Sequence, residues 1–362
     1  MERGKCSMES LGLRSLFQSY KNKKILITGH TGFKGSWLSL WLSMVGANLY
    51  GISLKPKTKN DHFNFIKTDI ESHFTDIRDY SNIKKIITTI NPDLIFHLAA
   101  QPLVRESYLS PLETWNTNVM GTANILDAAR SCEGLKGVVV VTSDKCYENR
   151  EIEKGYKESD PMGGHDPYSS SKGACELLVN SFRKSFFASS NQLVASARAG
   201  NVIGGGDWSE DRLIPDVARA VKSNSKIVIR SPKATRPWQH VLDCLNGYML
   251  LGENLLKGKK EFAQAWNFGP NKSGNLKVID VMKMIAAEWE SVSYKIQQST
   301  DLHEANLLYL NNSKAKRHLN WRPAWGVKKS ILETIEWYKA FQDSRKIISE
   351  EQIKKFMKDC NS

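Results

Sequence analysis

Tyr168 and Lys172 stand four residues apart in the run DPYSSSKGACELL, a spacing that puts both side chains on one face of a helix. There an ammonium group lowers the pKa of a phenol toward the range useful for proton transfer. A Tyr-x-x-x-Lys pair is common by chance, and its neighbours make this one specific. The apolar run Val138 to Val141 reads as a strand and ends in Thr142-Ser143-Asp144-Lys145. The Ser143 hydroxyl is therefore expected at the C-terminal end of a strand, where open α/β sheets bind their ligands. Asp144 and Lys145 add a carboxyl and an amine at the same point. Ser143, Tyr168 and Lys172 form the candidate catalytic set.

A second motif, KILITGHTGFKGSWLSLWL, is a strand, a turn and an amphipathic helix. Its Gly29, Gly32 and Gly35 let backbone N–H groups approach a pyrophosphate at the positive end of the helix, where side chains would obstruct them. Thr31, Phe33 and Lys34 complete the turn. Further cofactor positions are expected at three other strand ends. Asp76-Ile77 follows a polar loop and places a carboxylate against an adenine amino group. Ala99 and Ala100, followed by Gln101, are small enough for close cofactor packing. The second strand ends in Ser53-Leu54-Lys55, where a NAD site usually carries an acid for the ribose 2′-hydroxyl. Lysine there would tolerate a 2′-phosphate, so the local sequence leaves NAD and NADP both open.

These groups need a scaffold that brings several strand ends together. KILITG, LYGISL, DLIFHLAA, GVVVVTSDK and LVASARAGNV are strand-like and alternate with helical stretches. Continuous apolar strands imply a parallel sheet covered on both faces. The fold class expected is α/β, a Rossmann-type doubly wound parallel sheet with a smaller C-terminal substrate-binding lobe. Residues 1–23 read as an N-terminal extension and 24–199 as the dinucleotide-binding domain. Residues 200–342 read mainly as the lobe, with about 237–268 returning to the Rossmann domain, and 343–362 as a C-terminal helix or tail. The 362 residues, 41% of them hydrophobic, exclude a fibrous or wholly disordered chain. Six cysteines lie far apart without a C-x-x-C pair, which argues against a zinc site or a disulfide framework and for a reducing compartment. The N-terminus lacks the apolar stretch of a signal peptide and no later run is long enough to span a bilayer, so a cytoplasmic protein with no membrane partner is expected. The net charge of +13 favours an acidic partner. Because the basic residues are scattered in short groups, nucleic acid is not that partner.

The glycine turn and the Ser143, Tyr168, Lys172 set resemble the extended short-chain dehydrogenase/reductases. Asp144-Lys145 narrows the likeness to the nucleotide-sugar 4,6-dehydratases, which place two charged residues after the serine or threonine where epimerases have small ones. Asp followed by Lys is similar to the branch acting on CDP-glucose. The resemblance runs from Lys24 to about Trp337 and includes AGNVIGGGDW, DRLIPD, RPWQHV, WNFGP and His303-Glu304-Ala305-Asn306. It implies NAD as cofactor and CDP-glucose as substrate, oxidised at C4, dehydrated across C5–C6 and reduced at C6. It implies Tyr168 at the 4-hydroxyl, Asp144 as the acid at the C6 oxygen, and Lys145 as the base at C5 or the charge that positions it. Asn201 and Arg212 are further sugar-nucleotide contacts by resemblance. Arg230 and Arg236, near Trp238 and His240, are candidate pyrophosphate clamps, since guanidinium binds phosphate through paired donors. His240 joins this substrate set and, like His303, reads as a hydrogen-bonding residue rather than a metal ligand; no metal is expected. Helices after Ser107 and from Tyr168 imply a homodimer or higher homo-oligomer. Two other readings stay open: a 4-epimerase of the same fold, which gives Asp144-Lys145 no role, and a dinucleotide-sensing protein without turnover.

Overall fold

The computed structural model describes residues 17–297 and 307–360; most of the N-terminal extension and the His303–Asn306 stretch lie outside the described residues. Within this range the first half alternates strands and helices. It runs β1 (Lys24–Thr28), α1 (Phe33–Met44), β2 (Asn48–Ser53), β3 (Ile70–Phe74), α2 (Tyr80–Ile90) and β4 (Leu94–His97). Then come α3 (Val104–Leu109), α4 (Pro111–Trp115), α5 (Gly121–Ala129), β5 (Gly137–Val141), α6 (Pro167–Ser185) and β6 (Leu193–Ala199). The second half continues with β7 (Asn201–Ile203), α7 (Leu213–Lys222), β8 (Ile227–Ile229), β9 (Thr235–His240), α8 (Val241–Leu256) and β10 (Ala265–Phe268). It closes with β11 (Asn275–Lys277), α9 (Val278–Glu288), β12 (Tyr294–Ile296), α10 (Ser313–His318), α11 (Val327–Ser344) and α12 (Ser349–Cys360).

Seven strands pair in the order β10-β6-β5-β4-β1-β2-β3, every pair parallel. All residues of β5 and β6 are buried, because helices cover both faces and leave no wet side. Alternation then divides the apolar side chains. Ile25, Ile27, Phe96, Val139 and Val141 face one core with α1, α8, α11 and α12. Leu26, Ile95, Val138 and Val140 face the other with α2, α5 and α6. Strand order reverses between β1 and β4, which opens a crevice at the carboxyl ends of those strands.

After β6 the chain builds a three-stranded sheet, β11-β9-β7, and a β12-β8 pair. Between these pieces α8 packs on β5 and β6, and β10 joins the edge of the main sheet. Residues just before β1 are part of the core: Phe17 and Tyr20 are buried, and the Tyr20 hydroxyl donates to the Met249 carbonyl at 2.6 Å. At the other end α12 buries Ile353, Phe356 and Met357, with Phe356 edge-on to both Trp41 and Trp325.

Three histidines are locked inside this framework. The two ring nitrogens of His62 meet Ser36 Oγ and Ser349 Oγ, each at 2.8 Å, pinning α1 to α12. His97 lies between Thr28 and Thr122, and His240 packs at a tilt against Trp325. Burial pushes each of them from the ordinary 6.5 down to about 3. The folded chain therefore resists protons that the unfolded chain binds below 6.5, so stability present above that pH is lost as pH falls from 6.5 toward 3. In calorimetry at pH 5, His62→Gln should lower the proton uptake on unfolding by about one. An unchanged uptake would mean that His62 is already charged in the fold.

Candidate active site

At the end of β5 the chain leaves the sheet through a tight helical turn, Asp144–Cys146, capped by Ser143 in extended conformation. Ser143 Oγ accepts the Lys145 N–H at 3.2 Å and donates to Asp144 Oδ1 at 3.1 Å. The facing helix α6 starts at Pro167 and is capped by Asp166, which accepts from Ser169 N and Ser169 Oγ. That start puts Tyr168 in the first turn, where its hydroxyl interacts with Ser143, and Lys172 one turn on. Ser143, Asp144, Tyr168 and Lys172 are all buried and Lys145 is half-buried.

Burial dominates the electrostatics here. It pushes Tyr168 up to about 12, against the opposing pull of the Ser143 bond and of Arg212. Arg212 is thus the cation felt most by the phenol, a role the four-residue spacing assigns to Lys172. Lys172 itself is lowered, first by burial and then by Lys34 among its neighbours. Burial raises Asp144, with Lys145, Ser143, Arg236 and Lys34 opposing, and its Oδ2 has no hydrogen-bond partner among the described residues. A carboxyl whose proton is held more tightly than usual, with one oxygen uncommitted, is suited to donate that proton to a leaving group.

The glycine turn lies at the end of β1, two strands away with β4 between. Gly29 has φ +74, and a Cβ on it would come within 2.8 Å of Ala99 N. A Cβ on Gly35 would fall 2.0 Å from Gly29 O, so helix and turn touch backbone to backbone. Gly32 is exposed, and α1 begins without a side-chain cap, which leaves its first-turn N–H groups for a ligand. These residues fit the pyrophosphate of a dinucleotide. Thr31 Oγ1 bonds Ser53 Oγ at 2.7 Å and the Leu54 carbonyl at 2.9 Å, tying the end of β2 to the turn; Leu54 and Lys55 are exposed. Gln101 is fixed by Asn118, which accepts from its N–H at 2.8 Å. The Lys34 ammonium lies over the Tyr248 ring, and its charge acts on Asp144 and Lys172. Ile77 is buried against Gly121. Asp76 is chelated by Arg78, which holds its carboxyl below the usual range.

The other anticipated contacts are unevenly placed. Gly200, just before Asn201, lies where a Cβ would be 3.0 Å from Asp144 Oδ2, so Asn201 and β7 border the turn. Arg236 is buried and its charge reaches Asp144. Arg212 binds Asp207 at 2.9 Å beside Tyr168. Arg230 stands further out, paired with Asp211 at 2.8 Å, and Arg105 approaches the same carboxylate. The structure does not bring His240 to this cluster: it is sealed between Trp37 and Trp325, with Nδ1 accepting the Leu242 N–H at the start of α8. Among the described residues no group of three or more His, Cys, Asp or Glu could hold a metal ion.

A model of the family described as GDP-mannose 4,6 dehydratase matches residues 26–334. The chain belongs to that family. A CDP-glucose 4,6-dehydratase of Salmonella typhimurium is 44% identical over 349 residues, covering 93% of this chain and 97% of the relative. A human dTDP-D-glucose 4,6-dehydratase is 27% identical, covering 88% and 90%. Among solved structures, an epimerase from Methanothermobacter thermautotrophicus superposes with TM-score 0.80 at 24% identity, covering 94% of this chain and 96% of that one. A Streptomyces venezuelae dTDP-glucose 4,6-dehydratase with NAD and TYD bound gives 0.73 at 20%, covering 87% and 97%. Both share the fold of this family member.

Two groups in this dehydratase-family site have no place in the motif reading. Asn118 lies on a single π-helical turn, Asn116–Met120, and ties Gln101 to Ser171 on α6. Such turns often mark functional sites, but nothing in the sequence announces one. Glu176 and Arg198 form a buried ion pair behind the Asp144 turn. Glu176 follows Lys172 by four residues, as Lys172 follows Tyr168, so the helical face that carries the pair was extendable by one turn.

The contact of Gly35 with Gly29 gives a direct test of the cradle. Gly35→Ala forces helix and turn apart at a cost of about 1–3 kcal/mol. The rise in melting temperature that a fixed concentration of dinucleotide gives should shrink as well, since the stability that binding adds grows with the logarithm of the affinity. A full ligand-induced rise in the variant would remove this turn from the cofactor site.

Proposed function

We propose that the chain is an NAD-dependent CDP-glucose 4,6-dehydratase that forms CDP-4-keto-6-deoxy-glucose. The observation that carries this reading is the buried Asp144, with its uncommitted oxygen, on the same strand end as Ser143 and across from Tyr168 and Lys172. The 44% identity to a CDP-glucose 4,6-dehydratase over nearly the whole chain supports the same substrate.

When bound, oxidised nicotinamide supplies a hydride acceptor that later returns the hydride, and a positive charge that favours the phenolate over the neutral phenol. The remaining chemistry falls to side chains. Tyr168, aligned by Ser143, takes the proton of the 4-hydroxyl. The C4 ketone then acidifies C5, and Lys145 is the candidate base there. Asp144 gives its proton to the departing C6 oxygen, a transfer that its burial favours. Lys172, with its ammonium buried near Tyr168, holds the site positive while the phenol is deprotonated. Arg236 and Arg212 are the candidate partners for the substrate's pyrophosphate and sugar, and Arg230 joins them once its bond to Asp211 gives way to phosphate.

We also place the enzyme in the cytoplasm and read it as a homodimer. The free Cys132, Cys146, Cys175, Cys244 and Cys360 suit a reducing compartment. Leu109, Leu112 and Leu177 are 79%, 84% and 61% exposed on α3, α4 and α6, and Trp115 is exposed beside them. Such apolar surface is what a helix-to-helix subunit contact would cover. Leu112→Glu combined with Leu177→Glu should halve the mass measured by light scattering on a sizing column. A wild-type protein of monomer mass would end this reading of the surface.

Relatives of this chain also include UDP-glucose 4-epimerases, at about a quarter identity, so the reaction needs a test that separates the two chemistries. CDP-glucose deuterated at C4 should yield a product one water lighter, carrying the deuterium at C6 and a solvent hydrogen at C5, with no net consumption of NAD. Label returned to C4 of a sugar that keeps its 6-hydroxyl would identify an epimerase. An unchanged substrate would identify a binding protein.

A further inference from the structure

Behind the Asp144 turn, one buried pair of charges holds the chain on both sides of it. Glu176 lies on α6, two turns beyond Tyr168 and one beyond Lys172. Its Oε1 accepts the Thr142 hydroxyl at 2.5 Å, and Thr142 is the residue before Ser143. Its Oε2 accepts Ser196 Oγ and Arg198 Nη2, both at 2.7 Å, from β6. The other terminal nitrogen of Arg198 donates to the Tyr147 hydroxyl at 2.6 Å, and Tyr147 is the residue after Cys146. Tyr147 in turn donates to Asn267 on β10 at 2.7 Å, and its ring lies under the guanidinium at 5.0 Å. Both charged side chains are 4% exposed. Thus the residue entering the turn and the residue leaving it are bonded to the same Glu–Arg pair, and that pair is rooted in the helix of Tyr168 and Lys172.

An ion pair this deep is weak as a source of stability, because well-packed apolar side chains of equal volume often serve as well or better. What it provides that methyl groups cannot is direction: both carboxylate oxygens and both terminal nitrogens are committed along fixed lines. It is also neutral as a unit. A lone arginine behind the turn would draw the proton from Asp144, whereas the pair leaves the proton-holding effect of burial in place.

On the functional reading above, we propose that Glu176 and Arg198 are positioning residues that fix the Ser143–Cys146 turn against the Tyr168 and Lys172 face of α6, so that acid and base meet a sugar held at Tyr168. Removing either charge would strand the other in the core, so the test cuts the two tethers and spares the pair. In Thr142→Val combined with Tyr147→Phe, the turn keeps its shape-filling side chains and loses both bonds. The unaltered enzyme is assayed first with CDP-glucose and NAD; no dehydration there defeats the functional reading itself. Given an active parent, the double variant should fold and keep its KM within about twofold, while kcat falls about ten- to hundredfold from misalignment of the reacting groups. The near-ultraviolet absorbance of reduced nicotinamide should build up during turnover, because oxidation at Tyr168 then outruns elimination at the turn. Thr142→Ser with Tyr147 intact restores the hydroxyl tether and should recover most of kcat. A double variant that melts at lower temperature but keeps kcat, KM and the absorbance of the parent would show the pair to be structural only and overturn the inference.

Discussion

Ionisable groups are buried at the carboxyl end of an apolar parallel sheet, and much of the structure answers to that constraint. Asp144, Lys172, Glu176 and Arg198 are each 5% exposed or less, in surroundings supplied by β5 and β6, whose every residue is buried. A charge moved from water into such a place costs several kcal/mol unless it is paired or neutralised. The fold uses both remedies. Burial alone would raise the Glu176 carboxyl, but Arg198, Thr142 and Ser196 outweigh it and hold it below the usual range. Asp144 lacks a partner of that kind, and burial raises it. Two neighbouring carboxyls are thus shifted in opposite directions, by differences in partners rather than in residue type.

The dinucleotide cradle depends on a different limit, the absence of side chains. At Gly35 the α1 backbone lies against Gly29 O, and at Gly29 the turn lies against Ala99. This contact aims α1 down one face of the sheet, where Trp37 and Trp41 enter the larger core and Trp37 stacks on His62 at 5.0 Å. His62 then links α1 to Ser349 at the head of α12. The helix that leaves the glycine turn is thus bonded through His62 to the C-terminal helix.

The second half of the chain reaches the same site without a sheet of comparable size. Gly200, just before β7, lies against Pro237 of β9 and beside Asp144, and Gly204 sits between Val241 and Phe33. The start of β7 therefore borders the Asp144 turn, while α8 and β10 return to the main sheet. Asp207 holds Arg212 beside Tyr168, and Tyr338 of α11 donates to the Asp207 carbonyl. The glycine turn, the Ser143–Tyr168 cluster and Arg212 are thus tied to elements from both halves of the chain.

The sequence alone determined the parallel α/β architecture, because its strands are unbroken apolar runs and its glycine turn has strand before and helix after. It also determined which residues gather at the strand ends: Tyr168 and Lys172 share a helical face by spacing, and Ser143-Asp144-Lys145 follows a strand of four valines. Those features are local, and helical period and strand alternation translate directly into position. Only the tertiary structure decided the partners. That Arg212 rather than Lys172 weighs most on Tyr168, that His240 is sealed between tryptophans, and that Arg230 faces Asp211 depend on side chains distant in sequence. So does the tie of Thr142 and Tyr147 to one Glu–Arg pair drawn from α6 and β6. Direction and desolvation arise where separate elements pack, and neither is encoded in the spacing of a single segment.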